Sequence, residues 1–143
     1  MTLTPADHTL LRRAITLAAE ARTQGDPPFG SLLAAPDGTV LAEERNTTRT
    51  DRDLTAHPEL KLARWAGREL DLAAASRTTL YTSCEPCPMC AAALRQTGLG
   101  RVVFALSGEQ LLGIRPGSGL PPVPQEGPAL FDEVRAAVEP YYR

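Results

Sequence analysis

Two short segments of this chain each put proline directly after a side chain that can bind metal: His57-Pro58-Glu59 and Cys87-Pro88-Met89-Cys90. Proline steers the residue before it away from the helical region, yet suits the first position of a helix itself. His57 and Cys87 are therefore expected as N-caps of two helices. Cys90 falls three residues after Cys87, where helical side chains are neighbours, so both thiolates can reach one ion. Helix N-termini favour anions, and thiolate is the form of cysteine that binds metal. A chain that brings these two helix starts together has a site for one metal ion with three protein ligands: His57, Cys87 and Cys90.

Three ligands leave the fourth position of a tetrahedral zinc to water, whose pKa the ion lowers toward ~7. Glu59, just inside the first helix turn, lies within reach of that position and can move protons. The implied chemistry is hydrolysis at zinc. A structural zinc site normally takes four protein ligands. The remaining candidates are Cys84, three residues before Cys87, and His8 in the first helix. A zinc-stabilised interaction domain therefore stands as the non-enzymatic alternative.

The bulk composition narrows the class. At 143 residues the chain is long enough to bury a core, and it reads as one domain over 1–143. Its formal charge of −2 gives no basic footprint for nucleic acid. The arginines are dispersed (Arg12, Arg13, Arg45, Arg49, Arg52, Arg64, Arg68 and Arg101 among them) and read as solvated surface. Three cysteines with one C-x-x-C fit metal binding in a reducing compartment better than a disulfide framework. There is no basic-then-apolar leader pattern, and no apolar run reaches the ~18 residues of a membrane span. A soluble cytoplasmic protein without membrane contact is expected.

Periodicity predicts a helix over residues 5–23, with Pro5 in its first turn and Leu10, Leu11, Ala14, Ile15 and Ala18 at helical spacing. Strands are expected at Ser31–Ala35 and Thr39–Glu43, joined through Pro36-Asp37-Gly38. A helix starts at His57 and stops near Gly67; Thr78–Thr82 is a strand, Cys90–Gln96 a helix and Arg101–Ala105 a strand. Residues 108–127 are rich in glycine and proline, with Val123 a candidate short strand, and Leu130–Val138 forms a last helix. Strands alternating with helices argue for a three-layer α/β domain on a mixed sheet.

H-x-E paired with P-C-x-x-C is a signature of zinc nucleobase deaminases. Over nearly its whole length the chain resembles the cytidine-deaminase-like superfamily of CMP/dCMP-type zinc deaminases. It is most similar to the branch holding bacterial guanine deaminases and tRNA adenosine deaminases. Pro28-Phe29-Gly30 is similar to that branch's P-F-G-A start, and Thr55-Ala56-His57-Pro58-Glu59 to its T-A-H-A-E. The run Leu80–Cys90 looks most like guanine deaminases, and Arg101-Val102-Val103-Phe104 resembles the strand that follows.

The resemblance implies a three-layer α/β/α cytidine-deaminase-like fold with a five-stranded sheet. It implies one zinc per subunit on His57, Cys87 and Cys90, Glu59 as proton shuttle, Asn46 as a base contact and Phe29 as a stacking partner. Cys84 is a bystander in this pattern. Removal of the amino group from a free nucleobase is the leading expectation, with a homodimer whose subunits cover one another's pockets. The alternatives are tRNA adenosine deamination and cytosine or nucleoside deamination. One departure bears on specificity: the family's small residue between histidine and glutamate is Pro58 here, which has no N–H to donate. Bases other than guanine, such as modified purines, azapyrimidines or aminotriazines, are therefore expected among the substrates.

Overall fold

The computed structural model describes residues 2–115, 117 and 119–143. The elements run α1 (Pro5–Thr23), β1 (Gly30–Ala34), β2 (Val40–Arg45), α2 (Pro58–Glu69), α3 (Leu72–Ser76), β3 (Thr79–Cys84), α4 (Pro88–Thr97), β4 (Arg101–Leu106), α5 (Gly108–Leu112) and α6 (Phe131–Val138), then a 3-10 turn at Glu139–Tyr142. The sheet has the order β2-β1-β3-β4. β1 pairs antiparallel with both β2 and β3, while β3 and β4 are parallel.

Local chemistry sets the α1 and hairpin boundaries. Thr4 caps α1 through a reciprocal pair: its hydroxyl accepts from the Asp7 N–H, and its own N–H donates to Asp7 Oδ2. In the hairpin, Gly38 takes the positive φ of +88° that the turn requires, and Asp37 Oδ1 accepts the Thr39 N–H. β2 runs to Arg45 rather than Glu43, because Arg45 and Glu44 continue the ladder opposite Gly30 and Ser31.

Helices cover both faces of the sheet. On one side Leu33 and Leu80 pack with Leu62, Ala63 and Ala66 of α2 and Leu94 of α4. On the other, Leu32, Ala34, Tyr81 and Val103 meet Leu11 of α1. β1 is buried along its whole length, as a strand covered on both faces must be. α1 presses so closely on the start of β1 that a Cβ at Gly30 would lie 2.5 Å from the Ala18 backbone nitrogen.

A buried carboxylate fastens α1 to the sheet. Asp7 accepts from the Tyr81 hydroxyl at 2.7 Å and from both terminal nitrogens of Arg101 at 3.0 and 3.1 Å. The Arg101 guanidinium and the Thr4 N–H hold the Asp7 carboxyl well below the usual carboxylate range. Its contribution is present above the ordinary aspartate pKa and lost as pH falls through the lowered value. Asp7→Ala should cost about 2–3 kcal/mol, because it strands the Tyr81 hydroxyl and half-buried Arg101. Thermal unfolding near neutral pH should show a drop of roughly 5–10 °C.

The expected five-stranded sheet is corrected to four strands among the described residues. Pro121, Pro122 and Pro124 flank Val123 and carry no N–H for a ladder, and the segment lies exposed without strand pairing. β4 is consequently a sheet edge. Beyond Arg115 the described chain forms an arm in which no residue is buried. Leu120 is 96% exposed and Tyr141 84%. Phe131, Val134 and Val138, spaced i, i+3, i+7, make an exposed apolar stripe along α6. Among the described residues no helix is long and apolar enough to cross a membrane.

Candidate metal centre and active-site cleft

The two proline-led helices start where the sequence places them. His57 and Cys87 are the N-caps of α2 and α4, in extended conformation, with Pro58 and Pro88 at the first helical position. Neither cap side chain bonds its own helix, so both are free to turn toward each other. Cys90, one turn into α4, is fully buried behind them.

His57 Nδ1 lies 3.7 Å from Cys87 Sγ and 3.4 Å from Cys90 Sγ. All three ligand atoms fall within 4.8 Å of one another, and among the described residues they form the one such group. A tetrahedral zinc with Zn–S near 2.3 Å and Zn–N near 2.0–2.1 Å sets its ligand atoms about 3.5–3.8 Å apart. The trio therefore fits zinc in both donor type and spacing. Partial burial lowers the His57 pKa and so favours the neutral imidazole that metal binding needs. Burial pushes the Cys90 thiol up, with Glu59 and Cys87 adding to the effect. Metal uptake would thus release a proton from Cys90.

The centre opens into a cleft of about 510 Å³, within the range of small-molecule sites. Phe29, Asn46, His57, Pro58, Glu59 and Cys87 all line it. Phe29 and Asn46 meet at the end of the β1–β2 hairpin, where the Asn46 N–H donates to the Phe29 carbonyl at 2.9 Å. Asn46 is buried and its orientation is fixed: Oδ1 accepts from the Thr48 N–H and hydroxyl, both at 2.9 Å. A backbone N–H can only donate, so the oxygen must face Thr48 and the Nδ2 donor is left for the cleft. The loop behind it is anchored by buried Asp26, which accepts from the Arg49 and Thr50 N–H groups and the Thr50 hydroxyl.

Glu59 is 6% exposed, and burial raises its pKa above the ordinary glutamate value. The Ser31 hydroxyl reaches its Oε1 at 3.2 Å and opposes that shift. A buried carboxyl beside a fitted metal centre is placed to hold and release a proton in a site shielded from water.

Phe29, Asn46, His57, Glu59 and Cys87 line this cleft, Cys90 lies buried behind it, Cys84 lines the wall without joining the metal group, and His8 lies exposed on α1. Sequence reasoning missed two groups. Ser31 and Thr82 lie behind Glu59, and the only signal was a serine opening an otherwise apolar strand. Leu111, Ile114 and Arg115, at and just beyond the end of α5, form a lip of the cleft. The signal for α5 was its capping box, Ser107 with Gln110.

Comparison with known proteins agrees with this geometry. The sequence profile of the cytidine and deoxycytidylate deaminase zinc-binding region matches residues 4–106. A tRNA(Ile)-lysidine synthase of Deinococcus deserti is 38% identical over 105 residues, covering 72% of this chain and 20% of that protein. Guanine deaminase of Bacillus subtilis is 44% identical over 87 residues, covering 60% of this chain and 55% of that one. A tRNA-specific adenosine deaminase of Haemophilus influenzae is 32% identical over 101 residues, covering 71% and 58%. The chain thus spans a fifth of the first relative's length and just over half of the other two. The crystal structure of the B. subtilis guanine deaminase superposes with a TM-score of 0.77 at 30% identity, covering 94% of this chain and 92% of that one.

Proposed function

The chain belongs to the cytidine and deoxycytidylate deaminase zinc-binding family, and on that premise we propose that it is a hydrolytic deaminase of free nucleobases. Its substrates are a guanine-like purine or a modified base, azapyrimidine or aminotriazine. The observation that carries the reading is Glu59, a buried carboxyl on the cleft wall directly beside the His57–Cys87–Cys90 group. A zinc ion held by those three residues supplies the Lewis acidity that makes water a nucleophile at neutral pH.

The protein's own groups do the rest. Glu59 takes a proton from the attacking water and passes it to the ring nitrogen next to the reacting carbon. The water oxygen bonds to that carbon, the carbon–nitrogen bond breaks, and the departing amine leaves as ammonia with a second proton delivered through Glu59. Asn46 presents Nδ2 to an acceptor on the ring, and Phe29 offers an aromatic face.

The size of the cleft and the charge of −2 support a small base over a polyanion. The similarity to a tRNA-specific adenosine deaminase keeps RNA as the second reading. Ammonia release should be measured across guanine, adenine, cytosine, isoguanine, 5-azacytosine, ammeline, guanosine, cytidine and a tRNA anticodon stem-loop. Turnover of a free base supports the proposal. Turnover of the stem-loop alone, with steep salt dependence, moves the enzyme to tRNA.

Pro58 gives that panel a sharper arm. It is fully buried, lines the cleft and removes the first N–H of α2. The wall beside His57 therefore offers no donor there, and guanine gains no preference from it. Pro58→Ala should raise kcat/KM about tenfold for bases with an acceptor on that edge, the worth of one net hydrogen bond, and leave other bases unchanged. Guanine strongly preferred by the unsubstituted protein would contradict this account.

The working form is a homodimer. The arm from residue 119 onward carries Leu120, Val123, Phe131, Val134, Val138, Tyr141 and Tyr142 exposed. The apolar lip of the cleft, with Leu54 and Ile114 also exposed, gives a second copy's arm a surface to cover.

A further inference from the structure

Behind Glu59 lies a row of buried oxygens. The β1–β3 register sets Ser31 directly opposite Thr82, so their side chains share a face of the sheet. Ser31 is 0% and Thr82 1% exposed. Ser31 Oγ is 3.2 Å from Glu59 Oε1 and 2.8 Å from Thr82 Oγ1, and Thr82 Oγ1 is 3.1 Å from the Cys84 carbonyl oxygen. Burying two hydroxyls in a central strand is costly unless both are hydrogen-bonded. Alanine and valine would fill the same space without that cost, and the core of the sheet does not need the hydroxyls.

The far end of the row, the Cys84 carbonyl, only accepts, so Thr82 donates to it while Ser31 Oγ bridges Thr82 and the Glu59 carboxyl.

We infer that Ser31 and Thr82 are positioning residues, a buried hydroxyl row that holds the Glu59 carboxyl in one orientation on the cleft wall. The inference rests on the reading of Glu59 as proton carrier. Neither residue reaches the cleft lining, so the row acts on the carboxyl and not on the base. Thr82 acts only through Ser31.

The test uses the zinc-loaded 143-residue chain as Ser31→Ala, Thr82→Val, Thr82→Ser and the Ser31→Ala/Thr82→Val pair, with Glu59→Gln for reference. Ser31→Ala should lower kcat roughly ten- to hundredfold with KM and zinc content unchanged, since a hydrogen bond to a charged group is lost. Thr82→Val should lower kcat less, and Thr82→Ser, which keeps the hydroxyl, should restore it. The double variant should be no worse than Ser31→Ala alone, because without Ser31 the second hydroxyl is cut off from Glu59. Independently of turnover, the isotope-edited infrared carboxyl band of Glu59 should move in Ser31→Ala. Wild-type kcat in Ser31→Ala beside an inactive Glu59→Gln, or additive losses in the double variant, would overturn the row. An active Glu59→Gln would instead overturn the proton-carrier reading itself. If Ser31→Ala unfolds, the Thr82→Val and Thr82→Ser pair decides alone.

Discussion

Replacing Glu59 by glutamine should cut turnover of the preferred base by about 10²–10⁴-fold while one zinc per chain stays bound. Glutamine keeps the size of the side chain and can still accept from Ser31, so the buried site remains filled. It cannot carry a proton from water to a ring nitrogen. Because Glu59 is not one of the three grouped ligand residues, metal content measured on the purified variant should equal that of the parent. The same substitution separates the enzyme from a zinc-stabilised interaction domain. If the metal served the fold alone, neither the parent nor the loaded variant would release ammonia from any base.

Removing the apolar stripe of α6 should dissociate the proposed dimer. In Phe131→Ser/Val134→Ser/Val138→Ser, three side chains that the arm would bury against a second copy become polar, and the dimer dissociation constant should rise about a thousandfold. Sedimentation of the parent should give twice the 15.3 kDa chain mass, and that of the triple variant a single chain. On the proposed arrangement, in which each arm covers the partner's cleft, the free base should also bind more weakly in the triple variant, seen as a raised KM, while zinc content holds. A parent that sediments as one chain across micromolar concentrations would refute the arrangement.

Much of the site is legible in the sequence because it is built from local rules. A proline after His57 and another after Cys87 mark two helix starts, and the three-residue step to Cys90 needs nothing beyond helix geometry. The N-terminal bound of α1 is legible for the same reason: Thr4 and Asp7 cap it within four residues. α3 and α5 are five residues each, too short for hydrophobic periodicity to register, although Asp71 and Ser107 cap them. The fifth strand expected from resemblance has no counterpart among the described residues because three prolines surround Val123.

The remaining features depend on long-range placement. Arg101 meets Asp7 across 94 positions, and Ser31 meets Thr82 across 51, through a strand register that no spacing rule reveals. The polarity of Asn46 is likewise settled by Thr48, which turns its oxygen away and its donor toward the cleft. The sequence by itself determined the candidate metal group and the two helix starts that present it and Glu59, because each follows from backbone preferences over a few residues. Only the tertiary structure decided what stands behind Glu59, which end of Asn46 faces the cleft and that no described residue of the C-terminal arm is buried. Those depend on which surfaces meet once the sheet has formed.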